Sequence, residues 1–370
     1  MDIPFLNLLA AYTDIKDEID EGILSVMNSG QYILGAEVEK FEQAYSRYTE
    51  STYCVGVANG LDALHLSLRS LDIGPGDEVI VPANTFIATW LAVSHVGATP
   101  IPVEPDILNY NIDPKKIERV ITKRTKAIIV VHLYGQPADI DSILNIAKEY
   151  KLKIIEDAAQ AHGAAYKNKR IGSHADAVCW SFYPGKNLGA HGDAGAITTD
   201  CPEIYNRLMM LRNYGSKERY IHDVIGFNSR LDPIQALILS IKLKYLDKMN
   251  AKRSKIAMQY IEGLSSQPCI LPTEVEDSKR VWHLFVIRHT DRKSLQQELR
   301  VRGVSTLIHY PVPPHLQKAY SNLEIKKGRL PITERIHDEV LSLPMDPFLS
   351  DEGVNYVIDM TVESLKKLSS

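Results

Sequence analysis

The chain has 370 residues, of which 45% are hydrophobic and 24% charged, and its formal net charge at pH 7 is −4. This composition is typical of a globular protein, and the length predicts two domains, or one large domain with an appended part. The slight negative charge and the lack of a concentrated lysine and arginine stripe argue against nucleic acid as a partner.

The four cysteines are widely spaced and form no C-x-x-C pair, which indicates neither a zinc site nor a disulfide framework. Reduced thiols are the simplest interpretation. The N-terminus lacks the basic start and the long apolar core of a signal peptide. No apolar run approaches the roughly 18 to 20 residues that span a bilayer. We therefore expect a cytoplasmic protein that does not enter a membrane.

The chain begins with an extended arm over residues 3–8. Apolar residues then recur at helical spacing from Ile15 to Val26, which predicts a helix ending near Gly30, and a second helix is predicted over 36–48. From there, strand-like and helix-like segments alternate. The predicted strands are 53–57, 79–82, 99–103, 127–131 and 153–156, and the predicted helices between them are 61–71, 85–96, 114–121 and 140–150.

The predicted strands are apolar along their length, as in Ala-Ile-Ile-Val-Val over 127–131. Strands of this kind are buried on both faces, so we expect an α/β fold with a largely parallel sheet covered by helices. Binding sites in such sheets lie beyond the carboxyl ends of the strands.

A long helical pattern begins at Pro233 and continues to about Leu264. We place the domain boundary within it, which gives a large domain over 1–250, with the N-terminal arm, and a smaller domain over 251–370. The pattern of the smaller part predicts an α+β domain, with a strand over 282–288, a helix over 294–302, a proline-rich loop over 309–315 and a final helix.

The stretch AVCWSFYPGKNLGAHGDAGAI, residues 177–197, places Lys186 between an apolar strand and a glycine-rich turn. Glycines allow the backbone to bend tightly and to approach a ligand. An ammonium held in such a pocket loses hydration, so its pKa falls and its nucleophilic form becomes accessible, as a Schiff-base lysine requires. The alternative is a solvated surface lysine. A Walker-type phosphate loop is excluded, because Trp180 and Asn187 stand where it needs glycine and a hydroxyl residue.

Asp157 follows an apolar strand in the stretch KIIEDAAQAHG. A buried carboxylate there would pair with the protonated pyridine nitrogen of pyridoxal phosphate and keep that cofactor electron-withdrawing. The alternative is that Asp157 caps a following helix. Gln160 is a candidate donor to the phenolic oxygen of the cofactor, or else a residue on the surface of that helix.

Gly60 and Leu61 open a helix whose free N–H groups and positive dipole end suit a phosphate. The hydroxyl of Ser181 would add to the same phosphate site. Phe86 lies just beyond a strand end, where its ring would stack on the pyridine ring, although a lone aromatic residue is more often plain core.

Together these stretches resemble the DegT/DnrJ/EryC1/StrS family of nucleotide-sugar aminotransferases, within the fold-type I pyridoxal phosphate enzymes. The similarity runs from the IPFLNL arm through EDAAQAHGA, SFYPGKNLGA and RNYG to GFNSRLDPIQA over 226–236. It implies a mostly parallel central sheet with a smaller C-terminal α+β domain. Relatives that are dehydrases carry histidine in place of the lysine, so Lys186 favours amino transfer. The family's cofactor positions fall on Gly60, Leu61, Phe86, Asp157, Gln160, Ser181 and Lys186.

The resemblance implies a reaction in two halves. Glutamate donates its amino group to the cofactor, which then passes it to a keto sugar attached to a nucleoside diphosphate. Lys186 would hold the cofactor and later move the proton between substrate and cofactor carbons. The expected product is a dTDP-3-amino-3,6-dideoxyhexose for an O-antigen, an S-layer glycan or an antibiotic sugar.

The preference for a dTDP-linked 3-keto-6-deoxyhexose rests on SFYPGKNLGA, which is similar to the 3-keto branch of the family. Tyr183 stands where the 4-keto branch usually carries histidine, whereas His191 departs from the usual leucine. Residues of the proline-rich loop are expected to reach the sugar or the diphosphate, with loop packing as the alternative. The candidate substrate-binding residues are Tyr183, Arg230, His309, Tyr310 and His315.

The segment GFNSRLD, residues 226–232, matches the family stretch that completes the site of a neighbouring subunit. It implies a homodimer with shared active sites, in which Asn228 reaches the cofactor phosphate of the partner. The alternative is that Asn228 only forms a turn before the next helix. Two other functions stay open at this point: an aminotransferase for a 4-keto nucleotide sugar or an amino-cyclitol precursor, and a regulator that binds pyridoxal phosphate without turnover.

Overall fold

The computed structural model describes residues 1–273 and 275–369. Its helices are α1 (Leu8–Thr13), α2 (Lys16–Ser29), α3 (Ala36–Tyr48), α4 (Gly60–Ser70), α5 (Ile87–His95), α6 (Ile140–Tyr150), α7 (Pro202–Leu211), α8 (Pro233–Leu243), α9 (Leu246–Leu264), α10 (Arg292–Val301), α11 (Pro331–Glu339) and α12 (Asp351–Ser369). Its strands are β1 (Tyr53–Val57), β2 (Glu78–Pro82), β3 (Thr99–Val103), β4 (Thr125–Val131), β5 (Lys153–Asp157), β6 (Ala165–Tyr166), β7 (Lys169–Arg170), β8 (Ala177–Ser181), β9 (Gly195–Thr199), β10 (Ser216–Glu218), β11 (Ile221–His222), β12 (Ser278–Lys279), β13 (Phe285–Arg288) and β14 (Val340–Leu343).

Seven strands form the central sheet in the order β1-β9-β8-β5-β4-β2-β3. The neighbours from β8 to β3 pair in parallel, whereas β9 is antiparallel to both β1 and β8. Ile128, Ile129 and Ile155 in the middle of the sheet are fully buried, which is why these strands are apolar without alternation. The predicted α/β fold with a mostly parallel sheet is confirmed.

The carboxyl ends of β1, β2, β5 and β8 lie at one edge of the sheet, because the two antiparallel pairings of β9 bring β1 back to the common direction. An apolar core fills each face of the sheet. One contains Trp90 of α5 against the sheet residues, and the other contains Phe41 and Tyr45 of α3 with Trp180 of β8. This packing holds the four strand ends, and the loops that follow them, in fixed relative positions.

A third core is formed by α9 and by elements that follow it in the chain. β13 pairs with β14, and helices α10 and α12 pack around them, with Tyr260, Phe285 and Leu299 fully buried. The N-terminal arm joins this core: Ile3 N donates to Gly303 O at 2.8 Å. The boundary near residue 250 stays a prediction, and a core that gathers residues from Ile256 onward supports it.

The single long helix predicted from Pro233 to Leu264 is wrong, because the structure divides it into α8 and α9. The break falls at Lys244 and Tyr245, whose N–H groups bond to the third preceding carbonyl rather than the fourth. Both of these side chains bind the carboxylate of Glu18 on α2. The break thus coincides with a contact between distant parts of the chain, and the local helical pattern does not reveal it.

The helix predicted over 114–121 is also wrong. The structure has two short 3-10 turns there, Pro114–Lys116 and Glu118–Val120, on either side of the fully buried Ile117. A segment of this length gains few helical hydrogen bonds for the cost of nucleation, and its β-branched residues weaken the tendency further. Within the described part of the chain, no helix combines the length and the apolar character needed to cross a membrane.

Candidate active site

Lys186 lies in a tight turn after β8, at the carboxyl edge of the sheet. Its N–H donates to Tyr183 O at 2.8 Å, and a Cβ at Gly189 would lie only 2.3 Å from Pro184 O, so the turn requires glycine there. Burial lowers the pKa of Lys186 to about 8, and the nearby carboxylate of Asp157 opposes that effect. An amine of this kind has a substantial neutral fraction near pH 8, as attack on an aldehyde requires.

Asp157 ends β5, the strand next to β8 in the sheet. Its carboxylate accepts hydrogen bonds from Thr89 Oγ1 at 2.9 Å and from Ala159 N at 3.2 Å. Burial raises the pKa of Asp157, although both hydrogen bonds and the charges of Lys186 and His132 act in the opposite direction. Residues 158–164 form turns, so the alternative in which Asp157 caps a helix is wrong.

Gln160 is buried in the same loop rather than lying on a helix surface. Its Oε1 accepts the N–H of Tyr134 at 2.6 Å, which leaves Nε2 as a donor, and Nε2 bonds to the Tyr310 hydroxyl at 3.1 Å. The ring of Phe86 is half-exposed, and its centroid lies 5.1 Å from that of Tyr310 at an angle of 38°. The structure thus brings Phe86, Gln160 and Tyr310 together beside the carboxyl edge.

The N-terminus of α4 lies directly against Ser181. A Cβ at Gly60 would approach the Cβ of Ser181 to 2.5 Å, so only glycine permits this contact. Asn59 Oδ1 accepts the N–H of Asp62 at 2.8 Å, and the first intrahelical bond runs from Ala63. The N–H groups of Gly60 and Leu61 come before these bonds in the chain, so they are the helix donors that a phosphate would meet beside the Ser181 hydroxyl.

Asn228 and Arg230 make their contacts with a different part of the chain, around Asn213. Asn228 is exposed and pairs with Asn213 through a β-bridge, while Arg230 Nη1 donates to Asn213 Oδ1 at 3.0 Å. Ser229, between them, accepts the N–H of Ala58 at 3.2 Å. The segment is therefore anchored beside the loop that precedes α4, with the Asn228 side chain facing outward.

The proline-rich loop contributes to the site in part. His309 Nδ1 bonds to Ser342 Oγ at 2.8 Å, and burial together with the charge of Lys186 lowers the pKa of His309 to about 4. Burial raises the pKa of Tyr310. His315 instead pairs through Nε2 with Glu334 of α11 at 3.2 Å, a contact that serves the packing of this loop.

Two further residues from the lysine stretch face elsewhere. Tyr183 is 60% exposed, so its ring is accessible to a large substrate. His191 donates its N–H to Gln235 Oε1, and its ring meets that of Tyr12 edge-on at 5.9 Å. His191 is thus in contact with the N-terminal segment.

Sequence reasoning missed three side chains at the site or beside it. Thr89 bonds to Asp157, and Asn187 and His283 bond to each other at 3.1 Å next to Lys186. Thr89 stands three residues after Phe86, at the first turn of a helix that follows a strand end, and this placement was a usable signal. Nothing in the sequence pairs Asn187 with His283, which lies 96 positions later.

These residues fit pyridoxal 5′-phosphate. Lys186 would hold its aldehyde, Asp157 its pyridine nitrogen, and the N-terminus of α4 with Ser181 its phosphate. When bound, the cofactor supplies an electron sink that makes the carbon bearing the amino group acidic. The fold and the site together define a fold-type I, pyridoxal phosphate-dependent aminotransferase.

The family model described as the DegT/DnrJ/EryC1/StrS aminotransferase family matches residues 13–362, and the chain belongs to this family. It is 56% identical to dTDP-3-amino-3,6-dideoxy-alpha-D-galactopyranose transaminase of Aneurinibacillus thermoaerophilus, over 96% of this chain and 98% of the relative. It is 50% identical to dTDP-3-amino-3,4,6-trideoxy-alpha-D-glucose transaminase of Streptomyces venezuelae, over 98% and 96% of the two chains.

The solved structure of Streptomyces venezuelae DesV in complex with a ketimine intermediate superposes with a TM-score of 0.97, covers 98% of each chain and shares 50% identity. The protein is therefore a sugar aminotransferase by family, and pyridoxal phosphate is its cofactor. The interpretation as a regulator without turnover is set aside.

Proposed function

We propose that this enzyme transfers an amino group from glutamate to a dTDP-linked 3-keto-6-deoxyhexose, forming a dTDP-3-amino-3,6-dideoxyhexose. The observation that carries the proposal is the similarity, along almost the whole chain, to two transaminases whose names both specify a dTDP-3-amino sugar. Their sugars differ in configuration and at carbon 4, whereas both names place the amino group at carbon 3.

The roles of individual residues belong to the same proposal. Lys186 binds the cofactor and moves the proton during each half-reaction, which its pKa of about 8 supports. Asp157 keeps the pyridine nitrogen protonated, and Phe86 supports the ring. Gln160 donates to the phenolic oxygen of the cofactor, since its Nε2 faces the site and Tyr134 fixes its orientation. Gly60, Leu61 and Ser181 bind the phosphate.

The nucleotide sugar would lie against the residues at the rim of this site. Tyr310 is the best supported of them, because its hydroxyl already contacts Gln160 and its ring contacts Phe86. The exposed Tyr183 is accessible to the diphosphate or the sugar, and the partly exposed Arg230 would offer a positive charge from its position beside Asn213. His309 borders the site, where burial and the charge of Lys186 lower its pKa. His315 is the weakest candidate, since Glu334 holds its ring.

A homodimer with shared sites completes the proposal. Asn228 is exposed, and the segment before it carries large exposed apolar side chains, among them Tyr220 at 80% and Ile225 at 85%. Apolar side chains exposed to this degree favour burial against a partner chain. Asn228 would then reach the cofactor phosphate of the partner, and the cytoplasm, where nucleotide sugars are assembled, is the expected location.

The test is to incubate the enzyme and glutamate with one sugar at a time, either a dTDP-linked 3-keto or a dTDP-linked 4-keto 6-deoxyhexose. The position of the new amine is then located by NMR. Amination at carbon 3, with one 2-oxoglutarate released per amino sugar, is the expected result. Amination of the 4-keto sugar alone would replace the proposal with its alternative. A reaction with glutamine or aspartate but not with glutamate would refute the choice of donor. The Lys186→Ala protein is the control for uncatalysed exchange.

A further inference from the structure

Asn187, the residue after Lys186, uses its whole side-chain amide to hold the lysine turn. Its Nδ2 donates to Asn250 Oδ1 at 2.8 Å and to Val281 O at 2.9 Å, and its Oδ1 faces His283 Nδ1 at 3.1 Å. Asn250 in turn donates to His162 O at 2.8 Å. Asn187 thus connects the lysine turn to α9 and to the segment before β13, and Asn250 extends the connection to the loop after Asp157.

These contacts fix the proton on His283. Val281 O is a carbonyl oxygen and can only accept, so the amide nitrogen of Asn187 must face it, and the amide oxygen must face His283. The donor in that last bond is therefore His283 Nδ1, and the ring is the Nδ1–H tautomer with a lone pair on Nε2. The orientation of Asn250 agrees, because its own amide nitrogen is occupied by His162 O.

The surroundings of His283 also keep it uncharged. The imidazole is buried, and burial lowers its pKa well below the usual range. The charged and titratable groups that face it all act in the same direction: Lys186, Arg253, His309 and His162. The pKa of His162 falls to about 3 and that of His309 to about 4 for the same reason, burial, with Lys186 adding to it. The three imidazoles on which the charge of Lys186 acts, those of His162, His283 and His309, are therefore neutral near pH 7.

We propose that Asn187 is a positioning residue for Lys186: it ties the lysine turn to α9 and to the segment before β13, and it holds His283 as the neutral Nδ1–H tautomer beside the lysine. A second function follows from the same bonds. By closing the turn against these elements, Asn187 fixes the position of the lysine side chain in its site, where burial favours the neutral amine. The inference deepens the proposed role of Lys186 and does not depend on which sugar is the substrate.

The first test observes the tautomer directly. The protein is labelled with ¹⁵N in its histidine rings, and His283 is assigned by comparison with His283→Gln. We expect a protonated Nδ1 and an unprotonated Nε2 that persists from pH 8 down to pH 5. In Asn187→Asp, which preserves the shape of the side chain, a carboxylate accepts the same bond, stabilises the imidazolium, and makes the ring titrate at higher pH. A wild-type ring protonated at Nε2 would overturn the proposal.

The second test measures how the cofactor-free protein captures pyridoxal phosphate, followed by absorbance between pH 6 and 10. The wild-type capture rate should rise with a midpoint near pH 8, the pKa of Lys186. In Asn187→Ala, water reaches the amine and the midpoint should move up by about one unit, which lowers the rate at pH 7 roughly tenfold. Neither the sugar nor glutamate is present, so failure of this test is distinct from failure of the proposed substrate.

A matched control separates positioning from general stability. Glu104→Ala also removes three hydrogen bonds, those to Ile332 N, Thr333 N and the Thr333 hydroxyl at the start of α11. We expect both variants to lower the melting temperature, and only Asn187→Ala to move the capture midpoint. If Asn187→Ala melts at a lower temperature but captures the cofactor with the wild-type midpoint, the residue is merely structural.

Discussion

Thr89 Oγ1 donates a 2.9 Å hydrogen bond to Asp157 Oδ2, and this bond joins the first turn of α5 to the end of β5. The Thr89 hydroxyl lies 2.8 Å from that of Thr85, so a short chain of hydroxyl groups leads away from the carboxylate. A carboxylate held at one oxygen by Thr89 and at the other by Ala159 N has a fixed orientation. It can then present its charge to a cofactor without reorganising.

Asp157→Asn keeps the shape of this side chain but removes the charge that favours a protonated pyridine ring. Both half-reactions should slow by orders of magnitude while the protein stays folded. Thr89→Val removes one hydrogen bond, worth about 1 kcal/mol, and should cost only about fivefold in kcat. Single-turnover kinetics with glutamate measure the first half-reaction, and steady-state turnover with the keto sugar present measures kcat. Unchanged turnover in Asp157→Asn would remove Asp157 from the catalytic group.

Lys186→Ala should abolish amino transfer and the yellow colour of the purified protein. Lys186→Arg should fail as well, because a guanidinium stays protonated and cannot attack a carbonyl. Treatment of the wild-type protein with borohydride should fix the cofactor covalently at this position, as peptide mass spectrometry would show. Transfer at the wild-type rate by Lys186→Ala is the result that would contradict the assignment.

Gly60→Ala tests the proposed phosphate site. Its Cβ would lie 2.5 Å from the Cβ of Ser181, so α4 and β8 must separate, at a cost of about 1–3 kcal/mol in the free energy of unfolding. The dissociation constant for pyridoxal phosphate should rise as the helix N-terminus moves. Gly74→Ala is the control, since its nearest contact would be an ordinary 3.7 Å to Val96 O. Equal cofactor affinity in the two variants would count against the phosphate site.

The buried His162 should make the free energy of unfolding depend on pH in the acid range. Burial between the rings of Trp180 and Phe182 lowers its pKa to about 3, whereas the unfolded chain takes up this proton near pH 6.5. The unfolded state therefore binds more protons below pH 6.5, and stability is lost as the pH falls from there toward 3. This one group contributes a slope of up to about 1.4 kcal/mol per pH unit.

His162→Phe should remove that slope while preserving the packing of the ring. Urea unfolding at pH 7.5, 6.5 and 5.5 measures it. The control is His95→Phe, which makes the same replacement at an exposed position. An unaltered slope in His162→Phe would mean that other buried groups cause the loss of stability at low pH.

A mixed dimer tests whether Asn228 acts across the subunit interface. Asn228→Asp sets a carboxylate against a phosphate and should weaken cofactor binding. If Asn228 acts in the partner's site, a hybrid of one Lys186→Ala chain and one Asn228→Asp chain contains one intact site. Activity should then return when the two inactive proteins are refolded together. If such hybrids recover no activity, Asn228 acts in the site of its own chain.

The sequence alone predicts strands β1 to β5, helices α4, α5 and α6 between them, and the position of the lysine in the chain. Runs such as 127–131 are apolar at every position, so they are strands buried on both faces. Because parallel strands share a carboxyl edge, Phe86, Asp157 and Ser181 had to lie at that edge. These features depend on local pattern and on a general rule of parallel sheets, and both can be applied to the sequence alone.

Tertiary contacts decided the rest. The division between α8 and α9 coincides with contacts to Glu18, more than 200 positions away, and the orientation of Asp157 depends on Thr89. Asn187 gives no local sign of its three partners, and His315 gives none of its bond to Glu334. Side-chain hydrogen bonds between distant segments have no sequence period, because their geometry exists only once the sheet has brought the strand ends together.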